Sequence, residues 1–206
     1  FDAMFVASVN AVGKIGRMPR NVPYFVTCDV TPKQLYEFGN LYNKKPRRPA
    51  VLESLRYTRT RELYQAALAI FPWSDWVSSS LVRDYDVDPK KIFVAPPGVD
   101  TDRWKCAPRD GNSAATNMLF VGGDFYRKGG DLLMEWAAQT PNRNWKLHVV
   151  TRDKIQPPNE RVVIYNNLSA NTPALISLYE QAEVFVLPTR GDCYPLAALE
   201  AMAAGL

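Results

Sequence analysis

Asp192 and Glu200 flank the opening of the stretch GDCYPLAALEAMAAGL, residues 191–206. Pro195 suits the first turn of a helix and Gly205 suits its stop, so both acids are expected in one loop–helix unit. Helical rise places Glu200 roughly 7.5 Å along the axis from the helix start. An ionised carboxylate accepts hydrogen bonds from two neighbouring hydroxyls, which is the pattern a ribose diol or a hexose edge presents. Between the acids, the first amides of the helix and its dipole favour an anion. Asp192 and Glu200 are therefore candidates for holding two sugars, with a diphosphate at the backbone of Asp192, Cys193 and Tyr194. The alternative is structural: Asp192 as a loop cap and Glu200 as a surface residue. Leu196, Leu199 and Ala203 form the expected core-facing stripe, which leaves Glu200 on another face.

A second anion-binding pattern lies in GGDFYRKGG, residues 122–130. Gly122 and Gly123 permit close backbone approach to a ligand, and Lys128 falls where the next helix is expected to start. Backbone amides plus a cation make an anion site, whereas a glycine-rich turn with a surface lysine is the structural alternative. Three D-x-D pairs, Asp84/Asp86, Asp86/Asp88 and Asp100/Asp102, have the form of a cation ligand set. Their positions at a helix end and in turns are explained by turn-forming aspartate, so no metal is expected. His148 sits inside the apolar segment WKLHVVT and reads as a packed residue rather than a catalyst.

The elements that must position these loops are short apolar strands alternating with amphipathic helices. DAMFVAS and VPYFVTCD read as strands of a first run, AIFPWS as a brief strand or edge segment, and KIFVAPPGVD as a strand followed by a rigid Pro-Pro-Gly turn, with helices opened by Thr31 and Ser74 and a third over residues 50–69. NMLFVGG, WKLHVV, RVVIY and EVFVLPT read as strands of a second run, with helices at KGGDLLMEWAAQ, TPALISLYEQ and the final stretch. Strands apolar on both faces and separated by helices predict parallel sheets covered on both sides. In such sheets ligands bind beyond the carboxyl ends of the strands, where the candidate loops lie. Residues 1–100 are expected to form one domain and residues 116–206 another. The polar, turn-rich stretch 101–115 is expected to link them.

The chain has 206 residues, of which 47% are hydrophobic and 22% charged, a globular composition with no low-complexity tract. No apolar run is long enough to cross a bilayer, and Phe1–Asp2 does not open a signal-peptide pattern of basic residues followed by an apolar stretch. The three cysteines, Cys28, Cys106 and Cys193, lack zinc or disulfide spacing and read as reduced thiols in a cytosolic protein. Most of the net charge of +4 comes from Lys44, Lys45, Arg47, Arg48, Arg56, Arg59 and Arg61. That cluster suits an anionic membrane or acceptor, or a solvated face. It lacks the interleaved aromatics of a nucleic-acid surface.

The whole chain resembles the retaining, nucleotide-sugar-dependent glycosyltransferases of the GT-B fold, specifically family GT4. WSDWVSSSLVRDYDVDPKKIFVAPPGVDTDRW resembles that family's signature running into its interdomain turn. LFVGGDFYRKGGDLLMEW resembles its donor-phosphate loop, which puts the family's lysine at Lys128. YEQAEVFVLPTRGDCYPLAALEAMAAGL resembles its E-x7-E segment, with Glu200 as the second acid and Asp192 in place of the first glutamate. The arginine that commonly follows the first glycine of the phosphate loop is replaced by Gly123, and Arg127 is the expected substitute. The resemblance implies an α/β fold of two Rossmann-like doubly wound domains, both incomplete here, in a fragment lacking both termini. It implies catalytic roles for Lys128, Arg127 and Asp192. It implies donor binding by Gly122, Gly123, Lys128, Asp192, Cys193, Tyr194 and Glu200. No cofactor or metal is expected, the donor being a nucleoside-diphosphate sugar, and the fragment alone is expected to be inactive. A cytoplasmic location, with peripheral contact at the membrane through residues 44–61, is the matching expectation. The competing reading is a non-catalytic, truncated GT-B-like binding module.

Overall fold

The computed structural model describes residues 2–7, 22–42, 49–105, 115–140 and 144–206. The chain divides into two compact units, Phe1–Pro97 and Gly98–Leu206. Among the described residues no helix is long and apolar enough to cross a membrane.

The first unit carries a parallel sheet of β1 (Met4–Val6), β2 (Tyr24–Cys28) and β3 (Ala69–Pro72), in that order. Thr31 caps α1 (Pro32–Glu37) in a full capping box with Gln34. Helix α2 spans Ala50–Ala66, and α3 spans Asp75–Tyr85 behind the Ser74 cap. Tyr24, Val26, Cys28 and Ile70 alternate onto one face of the sheet, where Tyr64 of α2 and Val77, Leu81 and Tyr85 of α3 cover them. The strand expected before the Pro-Pro-Gly turn of KIFVAPPGVD shrinks to a single parallel bridge of Ile92 with Ile70. Phe93 and Ala95 donate to β3 carbonyls before Pro96 and Pro97, which have no N–H to continue a ladder.

The second unit is a four-stranded parallel sheet in the order β6-β5-β4-β7, from β4 (Thr116–Val121), β5 (Trp145–Val150), β6 (Val162–Tyr165) and β7 (Val184–Phe185). Register pairs Phe120 with Val149 and Leu119 with His148, so alternate residues face opposite sides. Phe120, Leu147 and Val149 pack on Leu133 and Ala137 of α4 (Gly130–Gln139). Leu119 and Val150 pack on the other side, against Leu175, Leu178 and Tyr179 of α5 (Pro173–Gln181), Ala201 of α6 (Leu196–Ala203) and Ala204, the residue that ends α6. This is the doubly covered sheet expected from the apolar pattern. Strand β7 is shorter than expected, because the backbone leaves the ladder after Val186 donates to Leu119 and reaches Pro188. Trp104, from the stretch expected to be a linker, is buried against Tyr179 with ring centroids 4.8 Å apart. Residues 106–114 of that stretch, Cys106 included, lie outside the described residues.

Helix α6 corrects two details of the sequence reading. Pro195 is its cap rather than its first helical residue. The residues it buries are Ala201 and Ala204, while Leu196 is exposed. Alanines on the inner face let the helix come close to the bulky Tyr179, and Leu196 at the first turn points away from that contact. Gly205, at φ +78°, ends the helix as expected. Leu206 N–H donates to the Ala201 carbonyl and Gly205 N–H to that of Met202, the paired closure that satisfies the last carbonyls.

Candidate functional site

All the candidate donor residues belong to the second unit, on loops that leave the carboxyl ends of β4 and β7 and on the helix that follows. The β4 loop is a tight turn ending in Gly129, which adopts φ +79°. A side chain there is excluded twice over. The left-handed backbone disfavours it, and an added Cβ would sit 2.0 Å from the Pro188 carbonyl oxygen of the β7 loop. Gly130 is equally confined, since its Cβ would lie 2.2 Å from the Phe125 ring. Helix α4 begins at Gly130, so Lys128 stands two residues ahead of it, in the turn.

Hydrogen bonds sew this turn to the β7 loop. Arg190 N–H and the Thr189 hydroxyl both donate to the Arg127 carbonyl, at 3.0 and 3.3 Å. The Arg127 guanidinium donates to the Gly191 carbonyl at 2.7 Å and to Asp124 at 3.0 Å. In the reverse direction Arg190 forks onto Asp131, at 2.6 and 2.8 Å, and donates to the Tyr126 carbonyl. The Asp131 carboxyl is held below the usual range by that guanidinium. Arg127 is therefore spent on holding backbone, and its guanidinium is mostly buried.

Lys128 and Asp192 meet in a direct ion pair, with both side chains largely enclosed. Burial lowers the Lys128 ammonium to about 8, and the nearby Arg127 cation acts in the same direction, while Asp124 and Cys193 oppose them. Contact with the Asp192 carboxylate also favours the charged lysine. Cys193 and Tyr194 are half-buried between Asp192 and the helix.

Glu200 is half-buried and accepts a hydrogen bond of 3.0 Å from the Tyr179 hydroxyl. Burial raises the Glu200 carboxyl above its ordinary value, and the Tyr179 bond partly offsets this. Tyr179 is itself raised, first by burial and then by the neighbouring carboxylate.

The two glycines behave differently. An added Cβ on Gly122 would meet the Phe120 ring at 2.7 Å and the Lys128 Cβ at 3.0 Å, so this glycine serves internal packing. Gly123 is exposed and its Cβ position is open apart from the Arg152 side chain, 3.7 Å away.

The remaining candidates have structural partners. Nδ1 of His148 is 2.9 Å from the Tyr165 hydroxyl, with the rings stacked, and burial followed by the Lys146 charge lowers its pKa. Asp84 is buried and is not the turn former it was expected to be. It pairs with Lys33 and Arg83 and accepts from Ser80, and the Arg83 hydrogen bond chiefly drives its pKa down. Asp86 ends α3 in a left-handed conformation, Asp88 caps a short 3-10 turn, and Asp100 accepts the amides of Asp102 and Arg103. Among the described residues no group of three or more His, Cys, Asp or Glu is arranged to hold a metal ion. Cys28 is buried and its thiol is pushed up to about 12, chiefly by burial, so it is a packed thiol.

Residues 115–206 match the family model described as glycosyl transferases group 1. Through that stretch, less than half of the chain, the sequence is similar to the group 1 glycosyltransferases. The MMP alpha-(1->4)-mannosyltransferase of Mycolicibacterium hassiacum is 27% identical over 137 residues, covering 62% of this chain and 33% of the relative. The D-inositol 3-phosphate glycosyltransferase of Geodermatophilus obscurus is 30% identical over 153 residues, covering 61% and 34%. The chain thus spans about a third of the length of these curated relatives. Among solved structures, Anabaena Alr3699/HepE in complex with UDP superposes with a TM-score of 0.71 at 14% identity, covering 100% of this chain and 58% of that one. WaaG, a glycosyltransferase of lipopolysaccharide biosynthesis, gives 0.63 at 18%, covering 96% and 60%. These likenesses carry the fold, which is of the GT-B type with incomplete Rossmann-like domains.

Sequence reasoning missed three residues that contact the candidate set. Tyr179 is the donor to Glu200, Arg190 is the brace on Asp131, and Arg152 lies over Gly123. A charged residue immediately after a buried strand, as at TRD after WKLHVV, was the one available signal for Arg152.

Proposed function

We propose that the protein transfers a sugar from a nucleoside-diphosphate sugar to an acceptor hydroxyl with retention of anomeric configuration, as GT4 enzymes do, and without a metal. The observation that carries this reading is the contact of Lys128 with Asp192 across two loops at the carboxyl edge of the second sheet. It supports a site where one cation can exchange a carboxylate for a diphosphate. As the glycosidic bond breaks, negative charge builds on that diphosphate, and a preorganised cation in a partly dry site stabilises it. Lys128 supplies that charge, Asp192 orients the transferred sugar, and Glu200 holds the ribose hydroxyls. Arg127, though expected as a charge donor, works here as the residue that positions the Asp192 loop through Gly191. The complexes of Alr3699/HepE with UDP and UDP-glucose support a nucleotide-sugar donor.

The location proposed is the cytoplasm, with peripheral contact at the membrane. Arg56, Arg59 and Arg61 lie on α2, where Val51, Leu52 and Leu55 are exposed, and this supports it. Lys44, Lys45, Arg47 and Arg48 lie outside the described residues. Residues 1–206 alone are proposed not to turn over, since they span only about a third of the relatives.

The test is incubation of the full-length protein with a panel of nucleotide sugars and hydroxylated acceptors, with NMR of the product's anomeric proton. Retained configuration, lost in Lys128→Ala and Glu200→Ala, is the expected result. Neither transfer nor hydrolysis with any donor would leave the binding-module reading in its place.

A further inference from the structure

Arg152 immediately follows the buried Thr151 at the end of β5, the strand beside β4. The turn that carries it is pinned on both sides. Asp153 accepts the Phe125 amide of the β4 loop at 2.7 Å, and its own amide donates to the Thr151 hydroxyl. Asn166 donates to the carbonyls of Thr151 and Asp153, at 3.2 and 2.7 Å. The Arg152 side chain, by contrast, is exposed, and no carboxylate among the described residues pairs with it. It lies across Gly123, with Nε 3.7 Å and Cζ 3.9 Å from where that residue's Cβ would be. A guanidinium without a counter-ion, held by a rigid turn over side-chain-free backbone, is open to an anion. Lys128 belongs to the same β4 loop, its Cβ close to Gly122. The loop is thus flanked by a lysine inside it and an arginine from the neighbouring strand. A diphosphate, unlike a single phosphate, has oxygens enough for both.

We propose that Arg152 is a second cation of the donor-diphosphate site, reaching over the space that Gly123 leaves empty. This inference rests on the donor-site reading above and adds a residue to it. It also assigns Gly123 a role, since a long side chain at that position would compete with Arg152 for the same volume.

The experiment is calorimetric titration of the full-length protein with UDP, GDP and ADP, and with uridine, guanosine and adenosine by competition. Arg152→Ala should weaken the preferred diphosphate by roughly 10- to 100-fold, the loss of a charge-assisted contact, with nucleoside affinity unchanged. Arg152→Gln should do the same, and Gly123→Arg placed on Arg152→Ala should recover most of the loss. Diphosphate affinity in Arg152→Ala within threefold of wild type, while Lys128→Ala loses binding, would remove Arg152 and leave the donor site standing. Equal losses for nucleoside and diphosphate would mark a structural residue and overturn the proposal. A double variant no tighter than Arg152→Ala would overturn the placement over Gly123. If the wild-type protein binds none of the three diphosphates, the donor-site reading fails and Arg152 falls with it.

Discussion

The ammonium of Lys128 and the carboxylate of Asp192 are in contact although 64 residues separate the loops that Arg127 and Gly191 join beside them. On the proposed donor-site reading, Asp192 competes with a diphosphate for the Lys128 cation. Asp192→Asn removes the competing charge. It should bind a bare nucleoside diphosphate severalfold more tightly than wild type, yet transfer sugar far more slowly. Calorimetry with UDP and GDP beside turnover with the matching sugar nucleotide separates the two effects. Weaker binding of both diphosphates would contradict this competition.

Lys128 titrates near 8 in the unliganded protein because it is buried. On the proposed reading a bound diphosphate should raise that value by Coulomb attraction, with proton uptake on binding above pH 8. The sign follows. Affinity should be flat below that point and fall as pH rises through it, by up to about tenfold per pH unit. Lys128→Arg should flatten the profile across the same range, since arginine keeps its charge.

Glu200 behaves oppositely to an ordinary surface acid. Its folded pKa lies above the unfolded value, chiefly through burial, so the folded state holds the proton longer. The protonated carboxyl's stability is fully present at low pH and is lost as pH rises through the folded pKa. Glu200→Gln keeps an acceptor for Tyr179 and removes the buried charge. It should melt higher than wild type at neutral pH, with the gap closing below about pH 4, where the acid is protonated in both states. Nucleotide affinity should drop in the same variant.

Arg127 holds the Gly191 carbonyl at 2.7 Å, and its own carbonyl receives the Arg190 amide. Arg127→Ala should cost about 1.5–3 kcal/mol of stability, the range for hydrogen bonds to charged groups. Hydrogen exchange should quicken at the Arg190 amide while β5 amides stay protected. Unchanged exchange at Arg190 would show that the guanidinium does not hold the loop.

Gly129 and Gly123 make a contrasting pair. Gly129→Ala forces a Cβ into the Pro188 carbonyl at a positive φ and should destabilise the protein by about 3 kcal/mol or more. Gly123→Ala meets only the Arg152 side chain, 3.7 Å off, and should stay within about 1 kcal/mol of wild type. Urea denaturation of the two variants checks both.

The strands and most helices were legible because their causes are local. Thr31, Ser74 and Thr172 each cap the helix that follows by accepting an amide from its first turn. Val, Phe and Leu alternate where the second sheet is covered on both faces. The start of KIFVAPPGVD misled because Ile92, Phe93 and Val94 look like a buried strand, yet Phe93 and Val94 are exposed and Ile92 makes only a single bridge to Ile70. The inner face of α6 misled because leucine outranks alanine on any hydrophobicity count, yet Ala201 and Ala204 face the core. The meeting of Lys128 with Asp192 was legible because both lie on loops at the carboxyl ends of neighbouring strands. Tyr179, Arg190 and Arg152 were not, because each acts on a residue 21 or more positions away, through contacts that no periodicity encodes.

Gly129 bearing on Pro188, with Arg127 and Arg190 crossing in opposite directions, makes the β4 and β7 loops one mechanical piece. Their conformational entropy is therefore surrendered during folding and not at the moment of capture. On the proposed donor-site reading, an anion arriving there should give up its own freedom of motion and immobilise only the tips of a few long side chains.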